Sequence, residues 1–311
     1  MASTNIHALD LHFLGHPQTI AAFLVLGPDG PVLIESGPGS TIGALQAGLG
    51  QHGLAPEDIH DVLLTHIHLD HAGAAGWLAQ HGATIHVHEA GAPHLAQPER
   101  LLTSARRIYG ERMDALWGEF LPVPQGHLRP LRDGEVVRAG GLEFTALDTP
   151  GHAGHHMVYQ LGDIGFAGDL GGVRRPGLRH VRVPTPPPEF DREAWLTSLE
   201  RVRARGLARL YLTHFGAVDD VDAHLRRVAE LVAEYAGRVG DALARGLERD
   251  AILAEFGAWE QGRLETEGVP PEQWPVYADI GPVGMSVDGL IRYWQKRAKL
   301  AAGAEVTPNK P

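Results

Sequence analysis

Short apolar runs punctuated by glycine and proline fill the chain up to about Gly216, a pattern that predicts strands alternating with helices. Ile6 to Leu14 alternates in places and Thr19 to Leu26 is a continuous β-rich run, so both are expected strands. Gly27-Pro28-Asp29-Gly30 reads as a hairpin turn into a third strand, Val32 to Glu35. Gly37-Pro38-Gly39-Ser40 then breaks the chain, with Ser40 placed to cap a helix running to about Gly50. A strand Asp61 to Leu64, a helix from about Ala74 to His81, a strand Thr84 to His88 and a helical stretch from Glu99 to Trp117 follow. Strands Glu135 to Val137 and Leu142 to Leu147 run into Thr149-Pro150-Gly151-His152. A second pair, Met157 to Leu161 and Ile164 to Ala167, ends at Gly168-Asp169. Residues 171–190 form a long Gly-, Pro- and Arg-rich loop, and a loop of that length inside a compact domain is usually functional or mobile. The helix Asp191 to Arg205 leads to a strand, Ala208 to Leu212, and then to Thr213-His214.

Beyond Gly216 the period changes. Val221, Leu225, Val228, Leu231, Val232, Tyr235 and Val239 recur at helical spacing, predicting helix from Asp219 to about Arg249, with Gly237, Gly240 and Gly246 as points of interruption. A shorter helix is expected from Asp250 to about Phe256 and a last one from Asp288 to Ala301. The organisation expected is an α/β sandwich over residues 1–216, a helical extension over 217–302, and a polar, disordered tail over 303–311.

Four times an apolar run, ending at Leu64, Leu147, Ala167 or Leu212, is followed directly by a turn carrying Asp or His. The densest case is Thr65-His66-Ile67-His68-Leu69-Asp70-His71, which offers imidazoles and a carboxylate in an irregular turn at the end of a rigid strand. Donors of that kind at that density suit borderline divalent metals such as zinc, manganese or iron; a solvated histidine-rich turn is the competing reading. Of nineteen histidines, His66, His68, His71, His152, His155, His156 and His214 stand apart by sitting at strand ends or in glycine-flanked turns, and Asp70 and Asp169 belong with them.

Composition narrows the partners. Apolar residues make up 43% and charged residues 21%, ordinary for a globular chain of 311 residues. The formal net charge of -11 argues against nucleic acid, whose phosphates want a basic surface. With no cysteine, thiolate ligands, disulfides and a cysteine nucleophile are excluded. Residues 1–10 show no signal-peptide pattern and no stretch is long enough for a membrane span, so a cytoplasmic enzyme acting on a small molecule is expected.

His66-Ile67-His68-Leu69-Asp70-His71 resembles the H-x-H-x-D-H signature of the metallo-β-lactamase superfamily. Thr149-Pro150-Gly151-His152 is similar to its T-P-G-H turn, Gly168-Asp169 to its G-D turn, and Thr213-His214 to its last histidine, in the family's order. The resemblance covers about residues 10–216 and implies an αβ/βα sandwich with metals at the rim between two sheets. By position it puts His66, His68 and His152 on one metal and Asp70, His71 and His214 on a second, with Asp169 bridging. It implies two divalent cations, zinc foremost with manganese or iron also suited, and a hydrolase of a small ester, thioester or lactone in which Asp70 orients the attacking hydroxide. The helical region after Gly216 resembles, in helical character alone, the C-terminal extension of glyoxalase II-like thioesterases. Within the same superfamily a mononuclear iron persulfide dioxygenase is the alternative, and a non-catalytic metal-binding protein the third.

Some residues depart from the family pattern. Where the family often has L-I-D-T-G, this chain has Leu33-Ile34-Glu35-Ser36-Gly37, one methylene longer at Glu35, so a contact supporting the metal loop is expected to shift. His155 and His156 are read as partners for buried backbone, or as donors to ligands or substrate. Arg174, Arg175, Arg179 and Arg182 attract an anionic substrate or form a solvated basic loop, and Tyr293 and Trp294 line a pocket or fasten their helix to the body.

Overall fold

The computed structural model describes residues 5–304. Two sheets of six strands face each other. The first comprises β1 (Asn5–Asp10), β2 (Ala21–Gly27), β3 (Gly30–Ile34), β4 (Asp61–Leu63), β5 (Thr84–His88) and β6 (Leu128–Leu131), antiparallel from β1 to β3 and parallel from β3 to β6. The second comprises β7 (Val136–Ala139), β8 (Leu142–Asp148), β9 (Met157–Leu161), β10 (Ile164–Phe166), β11 (Arg209–Leu212) and β12 (Gly216–Val218), antiparallel except for the β10–β11 pair.

Side-chain alternation along the strands builds the layers. On β2, Phe23 and Val25 enter the core between the sheets while Ala22 and Leu24 face the helices outside; on β9, Tyr159 points inward and Val158 outward. The outer face of the first sheet is covered by α1 (Ile42–Gly50), α2 (Leu69–Ala72), α3 (Ala75–Gln80), α4 (Ala92–Ala96), α5 (Glu99–Tyr109) and α6 (Met113–Trp117). The second sheet is covered by α7 (Arg192–Arg203), α8 (Val221–Ala244), α9 (Arg249–Thr266) and α11 (Val283–Ala304), with α10 (Trp274–Ile280) leading into the last. One apolar cluster joins Leu147, Val158 and Leu210 of that sheet to Leu225 and Tyr235 of α8, Phe256 of α9 and Leu290 of α11. No helix among the described residues is long and apolar enough to cross a membrane.

Several elements differ from expectation for identifiable reasons. The first strand stops at Asp10, whose carboxylate accepts the backbone N–H groups of His12 and Gln18 and turns the chain. Ser40 does not cap the first helix: its hydroxyl donates to the Leu116 carbonyl at 2.6 Å. Gly110 splits the Glu99 to Trp117 stretch into α5 and α6. In contrast α8 runs unbroken through Gly237 and Gly240, and Gly240 is there for contact, since a methyl group would come within 2.7 Å of the Trp294 indole. The expected short helix after Asp250 continues to Thr266, and the last helix begins at Val283. Gly303 and Ala304 end α11 rather than starting a tail; residues 305–311 lie outside the described residues.

His224 ties α8 to the turn after β10, its Nε2 donating to the Gly171 carbonyl at 2.8 Å. Burial pushes its pKa down to about 4. Because the unfolded chain takes up the proton first, the stability it contributes is present above about pH 6.5 and lost as pH falls through about 4. His224→Gln keeps a donor for Gly171, so its urea-unfolding free energy should fall less steeply between pH 6.5 and 4 than that of the parent. Parallel curves would show that His224 is not titrating there.

Candidate metal centre

The turn after β4 carries His66 and His68, and α2 carries Asp70 and His71. His152 follows β8, Asp169 follows β10 and His214 follows β11, so strand ends from both sheets deliver seven side chains to one rim. All seven sequence-predicted residues meet there. His66, His68, His152 and Asp169 bring donor atoms within 4.8 Å of one another, and Asp70, His71 and His214 form a second such group. In the first, His68 Nδ1 lies 3.0 Å from His66 Nε2 and 2.9 Å from His152 Nε2. In the second, Asp70 Oδ2 lies 3.6 Å from His71 Nε2 and 3.4 Å from His214 Nε2. Asp169 divides its oxygens: Oδ2 is 3.2 Å from His152 Nε2, whereas Oδ1 is 3.4 Å from His71 Nε2 and 3.3 Å from His214 Nε2.

These spacings suit a cation. Four donors at about 2.0–2.1 Å from zinc in a tetrahedron stand roughly 3.3–3.4 Å apart. Among the described residues His71 Nε2 and Asp169 Oδ1 are also buried without a hydrogen-bond partner, as metal-facing atoms would be. The cluster is therefore compatible with divalent metal binding.

The imidazoles are aimed from behind. His152 Nδ1 donates to the Pro184 carbonyl at 2.9 Å and His214 Nδ1 to the Thr19 carbonyl at 2.8 Å, leaving each Nε2 lone pair free for the centre. Glu35, fully buried and in left-handed backbone (φ 66°), supports the ends of β4 and β11 and the helix α2 at once. Its Oε1 accepts from His71 Nδ1 at 2.9 Å, from the Thr65 hydroxyl at 2.5 Å and from the Thr213 hydroxyl at 3.1 Å; its Oε2 accepts the Thr65 N–H. The Thr65 hydroxyl is in turn 3.0 Å from His66 Nδ1. The longer side chain at this position thus makes the supporting contact directly. Its reach across to Thr65 and Thr213 depended on tertiary neighbours that the local sequence does not display.

Electrostatics follow the same division. Burial holds His66 well below its ordinary pKa, with His71, His68 and His152 adding to the effect, and burial brings His68 down to about 4. Both are neutral donors at pH 7. For His71 burial acts downward, but Asp70, Glu35 and Asp169 outweigh it and raise its affinity for positive charge. For Asp70 burial acts upward, but His71 and His214 prevail and hold the carboxyl at about 2.

His156 is a partner for buried backbone: its Nε2 accepts the N–H groups of Asp169 and Leu170 at 3.2 and 3.3 Å while its Nδ1 faces the Thr149 hydroxyl at 2.9 Å. This explains Gly168, where a Cβ would meet that ring at 2.7 Å. His155 instead lines the cavity above the centre, 3.5 Å from Glu189. The loop arginines do not line that cavity. Arg182 is buried against Glu260, Arg174 pairs with Asp220, and Arg175 donates to the Pro17 carbonyl. Nor do Tyr293 and Trp294, whose polar atoms bind Glu193 and the Ala236 carbonyl and fasten α11 to the body. The loop itself is not loose. Val173 bridges to Arg182 and His214, and Val181, Val183 and Thr185 are buried.

The cavity measures about 320 Å³. Its floor includes His68, Asp70, His152 and Asp169; Leu101, Ile108 and Trp117 of the α5–α6 segment form one wall, and the end of α10 with the start of α11, from Ala278 to Ser286, forms another.

A two-sheet sandwich with an imidazole–carboxylate cluster at one rim is the architecture of a known class. The chain belongs to the metallo-beta-lactamase superfamily, whose profile matches residues 17–214. Metallo-beta-lactamase family protein TTHA1429 from Thermus thermophilus superposes with a TM-score of 0.65 at 25% identity, over 94% of each chain. ST1585 of Sulfurisphaera tokodaii, named as a metallo-beta-lactamase fold-containing protein, is 24% identical over 80% of this chain and 95% of its own length. The atrochrysone carboxyl ACP thioesterase of Aspergillus fumigatus is 27% identical over 64% of this chain, which spans 56% of that protein.

Proposed function

We propose that this protein is a dinuclear metal-dependent hydrolase of a small ester, thioester or lactone, in the glyoxalase II-like branch that carries a C-terminal helical extension. The observation that carries this reading is the cavity: of a size for a small acyl compound, it opens onto both donor groups and is closed by residues 278–286. His66, His68 and His152 would hold one cation and Asp70, His71 and His214 the other, with Asp169 between them. A donor set of imidazoles and carboxylates without thiolate suits zinc best and also accepts manganese or iron.

A cation pair supplies an activated water and an electrophile for the carbonyl oxygen. Asp70, ionised and lining the cavity, would orient such a water by accepting its hydrogen bond. Leu101, Ile108 and Trp117 exclude bulk water from the acyl group. The net charge of -11 favours a small molecule over nucleic acid, and the support given to the second donor group by Glu35 favours two cations over a single iron.

The test pairs metal analysis of purified protein with a panel of thioesters, lactones and phosphodiesters. About two metals per chain with thioester or lactone turnover is the expected result. One iron per chain with oxygen uptake would assign an oxidoreductase instead.

A further inference from the structure

Tyr109, the last residue of α5, shares the cavity wall with Ile108 and borders the same space as Asp70, Asp169 and His155. Its ring is held edge-on to Trp117, centroids 5.0 Å apart, and Trp117 stacks on Phe13 at 5.5 Å, so the phenol is fixed by packing. Among the described residues its hydroxyl has one partner, the Met285 sulfur at 3.8 Å. A thioether is a weak acceptor, so this donor is under-satisfied. Burial, and after it the charge of Asp70, push the phenol above its ordinary pKa. At neutral pH the group is therefore a donor and carries no charge.

We infer that Tyr109 is a catalytic residue that donates its phenolic hydrogen bond to the acyl oxygen of the substrate as negative charge develops there. The inference rests on the hydrolase reading for its substrate and on Tyr109's own surroundings for the donor. The proton stays on the phenol throughout; only its acceptor changes, from the Met285 sulfur to a substrate oxygen. A sulfur is easily displaced by an oxygen acceptor, and an anionic oxygen accepts more strongly than a neutral carbonyl, so the bond favours the transition state over the bound substrate. Nothing in the local sequence marks Tyr109: it stands in an ordinary helical stretch, and only the fold brings it to the metal rim.

The test is Tyr109→Phe, which removes the hydroxyl and keeps the ring against Trp117. On the best substrate of the panel, kcat is expected to fall about 10- to 100-fold with KM changed less than about threefold. Metal content and melting temperature should match the parent. The second measurement is titration with the phenyl ester of methylphosphonic acid, a stable anionic tetrahedral compound. The parent should bind it with a tyrosine ultraviolet difference signal, and the variant about tenfold more weakly with no signal. Unchanged kcat and phosphonate affinity in the variant would remove Tyr109 from the reaction and leave the hydrolase reading standing. A lowered rate accompanied by lost metal would make Tyr109 structural and overturn the inference. A parent that hydrolyses nothing on the panel but binds the phosphonate through Tyr109 would retire the hydrolase reading and keep the donor; no turnover and no binding would end both.

Discussion

Asp169→Ala is expected to lower the metal content from about two per chain to one or fewer and to cut hydrolysis by more than about a hundredfold. The size of the effect comes from the way this carboxylate is shared. One oxygen faces His152 and the other faces both His71 and His214, so a single truncation strips a donor from each group. It also removes negative charge that favours cation binding at His71 and His214. Asp169 is nearly inaccessible, so water is a poor replacement. Metal analysis after dialysis, alongside kcat/KM, reads both effects. Parent values for both would show that Asp169 bridges nothing.

Glu260→Ala should destabilise the fold by about 3–5 kcal/mol, because it leaves buried positive charge without a counter-ion. Glu260 is 1% exposed and accepts from Arg182 at 3.1 Å, Arg263 at 2.7 Å and the Tyr235 hydroxyl at 2.6 Å. Burial alone would raise its pKa, but Arg182 and Arg263 outweigh burial and keep it ionised. Arg182 comes from the loop before α7, Glu260 and Arg263 from α9, and Arg182 further donates to the carbonyls of Tyr277 and Gly281. Glu260 is thus the carboxylate paired with Arg182 at the junction of the loop, α9 and the cavity wall, while Arg263 is shared with Glu267 at 3.2 Å. Urea unfolding at pH 7 measures the loss. A change under about 1 kcal/mol would mean that solvent or another acidic group screens the arginines.

The strands that deliver chemistry were the most legible part of the sequence. Apolar runs ending at Leu64, Leu147, Ala167 and Leu212 announce their polar successors, and the structure brings those successors together. Elements whose buried side is polar were harder to see. The sequence predicts a helix only from Asp250 to about Phe256, where Gly257 follows, yet α9 continues by burying Glu260 and Arg263 against the loop. Strand β6, Leu-Arg-Pro-Leu, carries a proline that its edge position tolerates and that argues against a strand when read alone. Read alone, Arg174, Arg175 and Arg182 leave a substrate-facing charge or a solvated basic loop open, but their acidic and carbonyl partners lie far along the chain, at Asp220, Pro17 and Glu260. Distance in sequence hid them.

The proline-rich segment behind His152 joins two jobs in adjacent residues. The Pro184 carbonyl steadies the imidazole, and the neighbouring Thr185 hydroxyl donates to the Ser286 carbonyl at the start of α11. Gly289 presses against the Thr185 carbonyl too closely to admit a methyl group. The start of α11 and the orientation of His152 are therefore coupled through two consecutive residues, so a substitution that displaces α11 is expected to be felt at the metal-facing imidazole.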